Sequence, residues 1–483
     1  MSRFPQLAKD SVIYGFGGVL AKSVSFFLLP VYTRIFEPAD YGAIEMLTVI
    51  VGLFSAILAM GMDSAQSFYF FKQKQQGLQE QIRVVSAILQ WRLLWGSIIV
   101  IVATLGSPLI NTAFFEGELD PVYFAIAFCG ALFSQVMSQS AEVFRLLYRP
   151  WAFLSITLGQ SLAAATLILY FVLVYDQGIF GFFLGGSIAS LVMAILGWVF
   201  IREYVDFKRF HIEWWPRLLK FGVPLLPAGI AMYLMNATDR WFVQHYHGPE
   251  ALGLYAVGAK FAMLTALAVE TFRKAWWPIA MDAMHGEDGP ETFRTIARFY
   301  LGFGAAGVVY LTFLSPWLVS TFAAPAYVSA WPIVGILAWQ SLFYGFYLVA
   351  SGGIWKAEKT WLAPIIMGGA ALINLGLNFL WVPAYGGKGA ALATSITFGV
   401  WCLVTLFVSQ RLWRVPFQFW IMSFQILLGV VVTVWLLMLS TGTDSFAITF
   451  IAVHIVVLLL FLSSADTSLM KKFLGDLATK WND

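Results

Sequence analysis

The stretch GIFGFFLGGSIASLVMAILGWVFI, residues 178–201, decides the class of fold. It contains 24 residues and no charged side chain, and an apolar helix needs about 20 residues to cross a bilayer. Its Gly and Ser residues are typical of membrane helices, because small side chains let neighbouring helices pack closely. The stretch therefore predicts a transmembrane helix over residues 178–202.

The beginning of this stretch recurs further along the chain. GIFGFFLGGSI at 178–188 matches GGKGAALATSI at 386–396 with an offset of 208, and PADYG at 38–42 resembles PEALG at 249–253 with an offset of 211. The pattern favours a parallel internal repeat of six spans per half, an arrangement in which transporters commonly bind substrate between the halves. The alternative is a coincidence between two glycine-rich helix starts.

The composition extends the membrane prediction to the whole chain. Of the 483 residues, 60% are hydrophobic and only 11% are charged, and the mean hydropathy is +0.79. These values exclude a soluble protein of this length. We predict an all-α polytopic membrane protein with fourteen transmembrane helices at roughly 11–34, 42–70, 84–106, 121–146, 150–175, 178–202, 218–245, 250–276, 294–319, 329–352, 359–383, 387–410, 416–439 and 445–463.

The basic residues predict the orientation. With fourteen spans, 23 of the 29 Lys and Arg residues lie on or near the side of the two termini, three lie on or near the other side, and three lie near the middle of spans. The positive-inside rule therefore places both termini in the cytoplasm of a multi-pass inner-membrane protein. The predicted domains are an N-lobe over 1–202, a cytoplasmic linker over 203–217, a C-lobe over 218–412, two further helices over 413–463, and a cytoplasmic tail over 464–483.

Three cations lie near the middle of predicted spans, at Lys22, Arg92 and Lys260. A charge at this depth costs at least about 2.5 kcal/mol, and such residues usually face a bundle interior or a wet cavity. We predict that the three bind an anionic substrate. The alternatives are a tight helix contact in which Lys22 pairs with a carboxylate, and a buried ion pair through which Arg92 braces its helix.

Several carboxylates are candidates for gating or ion coupling. Glu45 and Asp63 are 18 residues apart in one predicted helix, which places them on the same face and about 27 Å apart. They are predicted to be proton or Na⁺ sites or gate partners for Arg and Lys, with interfacial carboxylates in water as the alternative. Glu270 is a further candidate for ion coupling, with simple solvation as its alternative.

Longer patterns carry a resemblance to a known family. FGVPLLPAGIAMYLMNATDRWFVQHYHGPEALGLYAVGAKF at 221–261, LINLGLNFLWVPAYGGKGAALATSI at 372–396, LLPVYTRIFEPADYGAIEML at 28–47 and FRLLYRP at 144–150 resemble polysaccharide transporters of the O-antigen flippase type. These belong to the multidrug/oligosaccharidyl-lipid/polysaccharide flippase superfamily. The resemblance implies two pseudo-symmetric six-helix, MATE-like lobes, and it places Asp239 and Arg240 in a TDR motif, where an outer gate or a structural role is favoured over substrate contact.

The resemblance also implies a function. The chain is expected to flip undecaprenyl-pyrophosphate-linked oligosaccharide by alternating access, with a multidrug exporter coupled to H⁺ or Na⁺ as the alternative. Basic rather than acidic mid-span residues favour the flippase. We expect no enzyme, no cofactor apart from coupling to H⁺ or Na⁺, and no nucleic-acid partner. A polysaccharide polymerase and glycosyltransferases are expected partners beside the substrate and membrane lipids.

Overall fold

The fold is all-α, as predicted, throughout the residues that the computed structural model describes. These are residue 20, residues 23–439 and residues 446–464. The beginning of the first predicted span and most of the predicted cytoplasmic tail fall outside them. Contacts divide the chain into two compact units, Met1–Gly253 (unit 1) and Leu254–Asp483 (unit 2).

Unit 1 contains a run of helices joined by short connections. Many begin with Pro in the first turn, where its missing N–H costs nothing, and the helix that starts at Pro121 is also capped by Asp120, whose Oδ1 accepts from the Val122 N–H at 2.9 Å. The helices are α1 Leu29–Ile35, α2 Pro38–Ala59, α3 Met62–Lys72, α4 Leu78–Leu105, α5 Ser107–Phe115, α6 Pro121–Leu146, α7 Pro150–Leu169, α8 Gly178–Phe200 and α9 Trp215–Gly222.

The predicted span over 42–70 lies within a candidate membrane span, Pro38–Gln76, but it consists of two helices rather than one. Met60 and Gly61 both have left-handed backbone angles, with φ of 44° and 68°, and α2 ends there before α3 begins. Glu45 therefore lies on α2 and Asp63 on α3. The inference that the two carboxylates share one helix face required an uninterrupted helix, and the break removes it.

The remaining helices include two long ones that are each broken at a glycine. They are α10 Leu226–His285, broken at Gly248, α11 Gly289–Phe322, α12 Trp331–Ala350, α13 Gly352–Lys356, α14 Leu362–Leu412, broken at Gly386, α15 Phe419–Met438 and α16 Phe446–Ser464. Ten helices of the described part are long and apolar enough to cross a membrane. Since α10 and α14 each correspond to two predicted spans, the count of fourteen stays a prediction.

The domain boundaries also stay predictions. The first segment of α10 and the next residues up to Gly253 belong to unit 1, whereas the sequence assigned residues 218–412 to the C-lobe. Pro224 lies in a one-turn 3₁₀ segment, Val223–Leu225, between α9 and α10, so the proline interrupts the predicted span 218–245 near its start.

Equivalent hydrogen bonds occur at the two copies of the repeat. Gly178 and Gly386 both have positive φ, 48° and 56°, at the point where a new helix begins. Nine residues later in each copy, Ser187 donates to the carbonyl of Ile126 in α6 at 2.8 Å, and Ser395 donates to the carbonyl of Ile336 in α12 at 2.7 Å. The two partner positions differ by 210 residues, close to the sequence offset of 208, which supports an internal repeat over coincidence.

The second repeated motif makes a reciprocal contact within unit 1. A Cβ added to Gly42 would collide with the carbonyl oxygen of Pro249, and a Cβ added to Gly253 would collide with that of Pro38. The glycine of each motif thus lies against the proline of the other. The two copies cross with their backbones in direct contact, and only glycine fits at the two crossing points.

Candidate functional site

Arg92 lies in α4 and is paired rather than open. Its side chain is 1% exposed, and its Nη2 lies 2.6 Å from Oδ1 of Asp63 at the start of α3. Its Nη1 donates to the backbone carbonyl of Gln135 in α6. The guanidinium therefore joins three helices of unit 1, and a buried charge with partners of this kind is expensive to unpair. This geometry agrees with the alternative in which Arg92 braces its helix through a buried ion pair.

Asp63 has a more exposed side chain than its partner. Its side chain is 45% exposed, against 1% for Arg92, so the carboxylate faces solvent or a cavity while the guanidinium points inward. The predicted roles of Asp63 in ion coupling and of Arg92 in substrate binding both stay predictions.

A second charged cluster contains the predicted gate residues. Arg240, in the first segment of α10, lies between two carboxylates: its Nε is 2.8 Å from Oε1 of Glu45, and its Nη1 is 3.2 Å from Oδ1 of Asp239. The side chains of Glu45 and Arg240 are 12% and 20% exposed, and Asp239 is 4% exposed. Glu45 is therefore a partner of an arginine, one of the roles predicted for it, and the neighbours Asp239 and Arg240 do pair.

The other predicted residues do not join these clusters. Lys22 lies outside the described residues. Lys260, in the second segment of α10, is half-buried and makes no hydrogen bond or ion pair within the described part of the chain. Glu270 accepts from Arg273 at 2.6 Å and lies 3.7 Å from Lys274, both one turn further along the same helix. Pairs of this exposed kind contribute little free energy.

Unit 2 contains a buried amide cluster that is not among the predicted site residues. Asn374 and Asn378 are one turn apart in α14, and the Asn378 Nδ2 donates to the Asn374 Oδ1 at 3.0 Å. The Asn374 Nδ2 donates to the hydroxyls of Thr394 and Thr397 at 3.5 and 3.4 Å. The i, i+4 spacing of two amides in an apolar helix is the pattern that points to them.

One atom of this cluster lacks a partner. The Asn378 Oδ1 is buried, and no hydrogen-bond donor reaches it within the described residues. Neutral amide and hydroxyl oxygens are ligands that hard cations accept. The Asn374 Oδ1 and the hydroxyls of Thr394 and Thr397 already accept hydrogen bonds within the cluster, so the Asn378 Oδ1 is its unsatisfied acceptor among the described residues.

Two family models match the chain. One, described as "Polysaccharide biosynthesis protein", matches residues 7–284, which is more than half of the sequence. The other, described as MatE, matches residues 224–380.

Two curated relatives from different organisms are similar to this chain in sequence. Lsg locus putative protein 1 of Haemophilus influenzae is 24% identical over 281 residues, covering 57% of this chain and 66%, just under two thirds, of that protein. An uncharacterized membrane protein of Methanocaldococcus jannaschii is 21% identical over 84% of this chain and 98% of its own length.

The fold is that of two known groups of transporters. A lipid II flippase, MurJ, in an inward closed conformation, superposes with a TM-score of 0.64 and 17% identity over 98% of this chain and 100% of its own. An inward-facing multidrug resistance MATE transporter of the MOP superfamily superposes with a TM-score of 0.62 and 14% identity. The superposition covers 83% of this chain and 94% of that transporter. At these identities the likeness concerns the fold.

Proposed function

Because the chain belongs to the polysaccharide biosynthesis protein family, we propose that it moves undecaprenyl-pyrophosphate-linked oligosaccharide across the bacterial inner membrane by alternating access. The family match over residues 7–284 carries the proposal, and it confirms the resemblance found in the sequence. The fold shared with a lipid II flippase and with MATE transporters supports a carrier rather than an enzyme.

The substrate anion is proposed to interact with Lys260. Its ammonium is half-buried in an apolar helix and has no ion-pair partner among the described residues, so a pyrophosphate would gain a charge-assisted contact there. A multidrug exporter is the second candidate, supported by the MatE match over residues 224–380. It would carry cations, for which an unpaired lysine is unfavourable.

Reconstituted transport tests the proposal. Proteoliposomes containing a fluorescent undecaprenyl-pyrophosphate oligosaccharide are assayed for its movement across the bilayer. Lys260→Ala should lower the initial rate at least about tenfold, and Lys260→Arg should be partly tolerated, because a charge-assisted contact contributes about 1.5–3 kcal/mol. Lys274→Ala, in the same helix but paired with Glu270, is the control. A wild-type protein that exports a cationic dye and moves no lipid-linked sugar would favour the exporter.

Coupling to Na⁺ is proposed at the amide cluster of α14. Its neutral Asn378 Oδ1, which is buried and unsatisfied among the described residues, supports Na⁺ rather than H⁺. In the same proteoliposomes, Asn378→Leu should remove the dependence of transport on a Na⁺ gradient. An unchanged dependence in this variant would exclude the cluster.

The proposed cellular setting follows from the substrate. Glycosyltransferases would supply the lipid-linked sugar on the cytoplasmic side, and a polysaccharide polymerase would consume it outside. Both termini are proposed to be cytoplasmic, on the basis of the basic residues.

A further inference from the structure

Unit 1 contains a cavity that belongs to neither charged cluster. Its volume is about 560 Å³, which lies within the usual range of small-ligand sites, about 300–1,000 Å³. It lies between the beginning of α2, the connection from α5 to α6, and the end of the first segment of α10. The side chains that matter for its chemistry are Asp40, Glu116, Glu118, Tyr123, Trp241 and His245.

The charge of the cavity excludes an anionic ligand. Asp40, Glu116 and Glu118 bring three carboxylates to it, and no Lys or Arg is among the described residues that line it. A pyrophosphate would be repelled here. Carboxylates accept hydrogen bonds only, so the complementary ligand offers several hydrogen-bond donors.

One wall of the cavity is aromatic. The rings of Trp241 and His245, one turn apart in α10, are stacked with their centroids 5.0 Å apart and an angle of 8° between their planes. Trp241 is 37% exposed, so part of a flat apolar surface faces outward. Tyr123 lines the cavity from α6. Flat aromatic faces next to carboxylates suit a ligand with apolar C–H faces and polar edges.

The loop that carries two of the carboxylates is held in place. Asn111 makes two hydrogen bonds to the backbone of Leu119 in this loop: its Nδ2 donates to the Leu119 carbonyl at 2.7 Å, and its Oδ1 accepts from the Leu119 N–H at 3.2 Å. Glu116 adopts a left-handed conformation with φ of 56°, which non-glycine residues keep only where the surroundings impose it. A preformed loop loses less entropy when a ligand binds.

A residue that lines the cavity also carries a buried acceptor atom without a partner in the described part of the chain. Gln244 lines it and donates through its Nε2 to the Phe114 carbonyl, which ties α10 to α5. Its Oε1 is buried and has no hydrogen-bond partner among the described residues. A buried polar atom of this kind costs free energy unless a ligand or water satisfies it.

We propose that this cavity binds a neutral saccharide, whose hydroxyl groups donate to the three carboxylates and whose C–H face packs on Trp241. The proposal rests on the proposed function, because it identifies the cavity as a subsite for the sugar part of the substrate, apart from the pyrophosphate. A divalent cation is the competing occupant, and the aromatic wall and the single rigid acceptor loop favour the saccharide over it.

Saturation-transfer NMR on the purified full chain in lipid nanodiscs tests this, with chitotriose and maltotriose as probes. Titration should give a dissociation constant for at least one of the two. Trp241→Ala should weaken it about fivefold through loss of the aromatic contact, and Glu118→Gln, on an exposed loop where folding is not at risk, should weaken it by a similar factor. Trp317→Ala, an exposed tryptophan of unit 2, should leave it unchanged.

Two results would overturn the proposal: no saturation transfer to either sugar in the wild-type protein, or equal affinities in the wild-type protein and both cavity variants. Displacement of bound sugar by millimolar Ca²⁺, with Ca²⁺ binding lost in Glu118→Gln but kept in Trp241→Ala, would identify a cation site instead. Failure of the proposed function is distinguishable, because a protein that binds sugar through Trp241 and moves no lipid-linked substrate contradicts only the transport proposal.

Discussion

Breaking the ion pair between Asp63 and Arg92 should lower the free energy of unfolding more when the carboxylate is removed than when the cation is removed. Asp63→Ala leaves a guanidinium that is 1% exposed with the Gln135 carbonyl as its main partner. Breaking a fully buried pair costs about 3–5 kcal/mol, but Asp63 is 45% exposed and water can replace part of its contact. We therefore expect Asp63→Ala to lower the free energy of unfolding by about 2.5 kcal/mol, which is within the range for a hydrogen bond to a charged group.

Arg92→Met should be milder. It removes the buried charge, keeps most of the apolar stem, and leaves Asp63 hydrated, so the expected loss is about 1 kcal/mol. The double variant should also lose about 1 kcal/mol, which gives a coupling energy of about 2.5 kcal/mol between the two residues.

Thermal unfolding in detergent, followed by tryptophan fluorescence at one heating rate, measures these differences. At about 2 °C per kcal/mol, Asp63→Ala should lower the apparent Tm by about 5 °C, and Arg92→Met and the double variant by about 2 °C each. Additive losses in the double variant would refute an ion pair that stabilises the fold. Transport by Arg92→Met, which keeps Asp63, then separates the two roles of Arg92, because bracing alone predicts near-normal transport and substrate binding predicts its loss.

Three further outcomes follow from the contacts described above. Ser187→Ala and Ser395→Ala should each lower the free energy of unfolding by about 1 kcal/mol, measured as similar drops in apparent Tm, because the two hydroxyls make equivalent hydrogen bonds. Gly42→Ala and Gly253→Ala should each abolish the monodisperse peak in size-exclusion chromatography, because the added methyl group meets a backbone carbonyl. Arg240→Lys should slow transport in proteoliposomes, and Arg240→Ala should slow it further, since the single side-chain nitrogen of lysine cannot occupy both positions from which the Nε and Nη1 of Arg240 contact the two carboxylates.

Each of these has a matched control in the chain. Ser155→Ala removes a hydroxyl that bonds only within its own helix, Gly376→Ala adds a methyl group in open space, and Arg83→Ala removes an exposed arginine from a pair with Glu80. The controls should behave like the wild-type protein. Equal effects at a test position and at its control would contradict the corresponding contact.

Helix ends that are marked by local chemistry were predictable from the sequence. The span over 121–146 matches α6, Pro121–Leu146, because Asp120 and Pro121 mark its start and Arg145 lies at its charged end. The break at Met60 and Gly61 was not predicted, because one glycine in an apolar run is common in membrane helices. The polar residues that follow it, from Asp63 to Ser67, are the local signal of the break.

The candidate site was predictable in its residues but not in its pairing. Arg92 and Lys260 were identified as unusual by their positions near the middle of apolar spans. Their partners depend on which helices meet: the contact of Glu45 with Arg240 joins residues 195 positions apart, and no local pattern encodes it. The lack of a partner for the buried Asn378 Oδ1 among the described residues depends on how two helix segments pack, so only the three-dimensional structure reveals it.

The reciprocal contact of PADYG with PEALG also bears on how such a chain arose. A contact in which the glycine of each copy meets the proline of the other is what a two-fold symmetric homodimer makes, because residue i meets residue j and j meets i. An ancestral half-length chain could have assembled through this same crossing. Fusion into one polypeptide then replaces a concentration-dependent encounter by an intramolecular one. After fusion the two glycines are separate codons, yet neither copy can accept a larger residue while the partner's carbonyl stays in place.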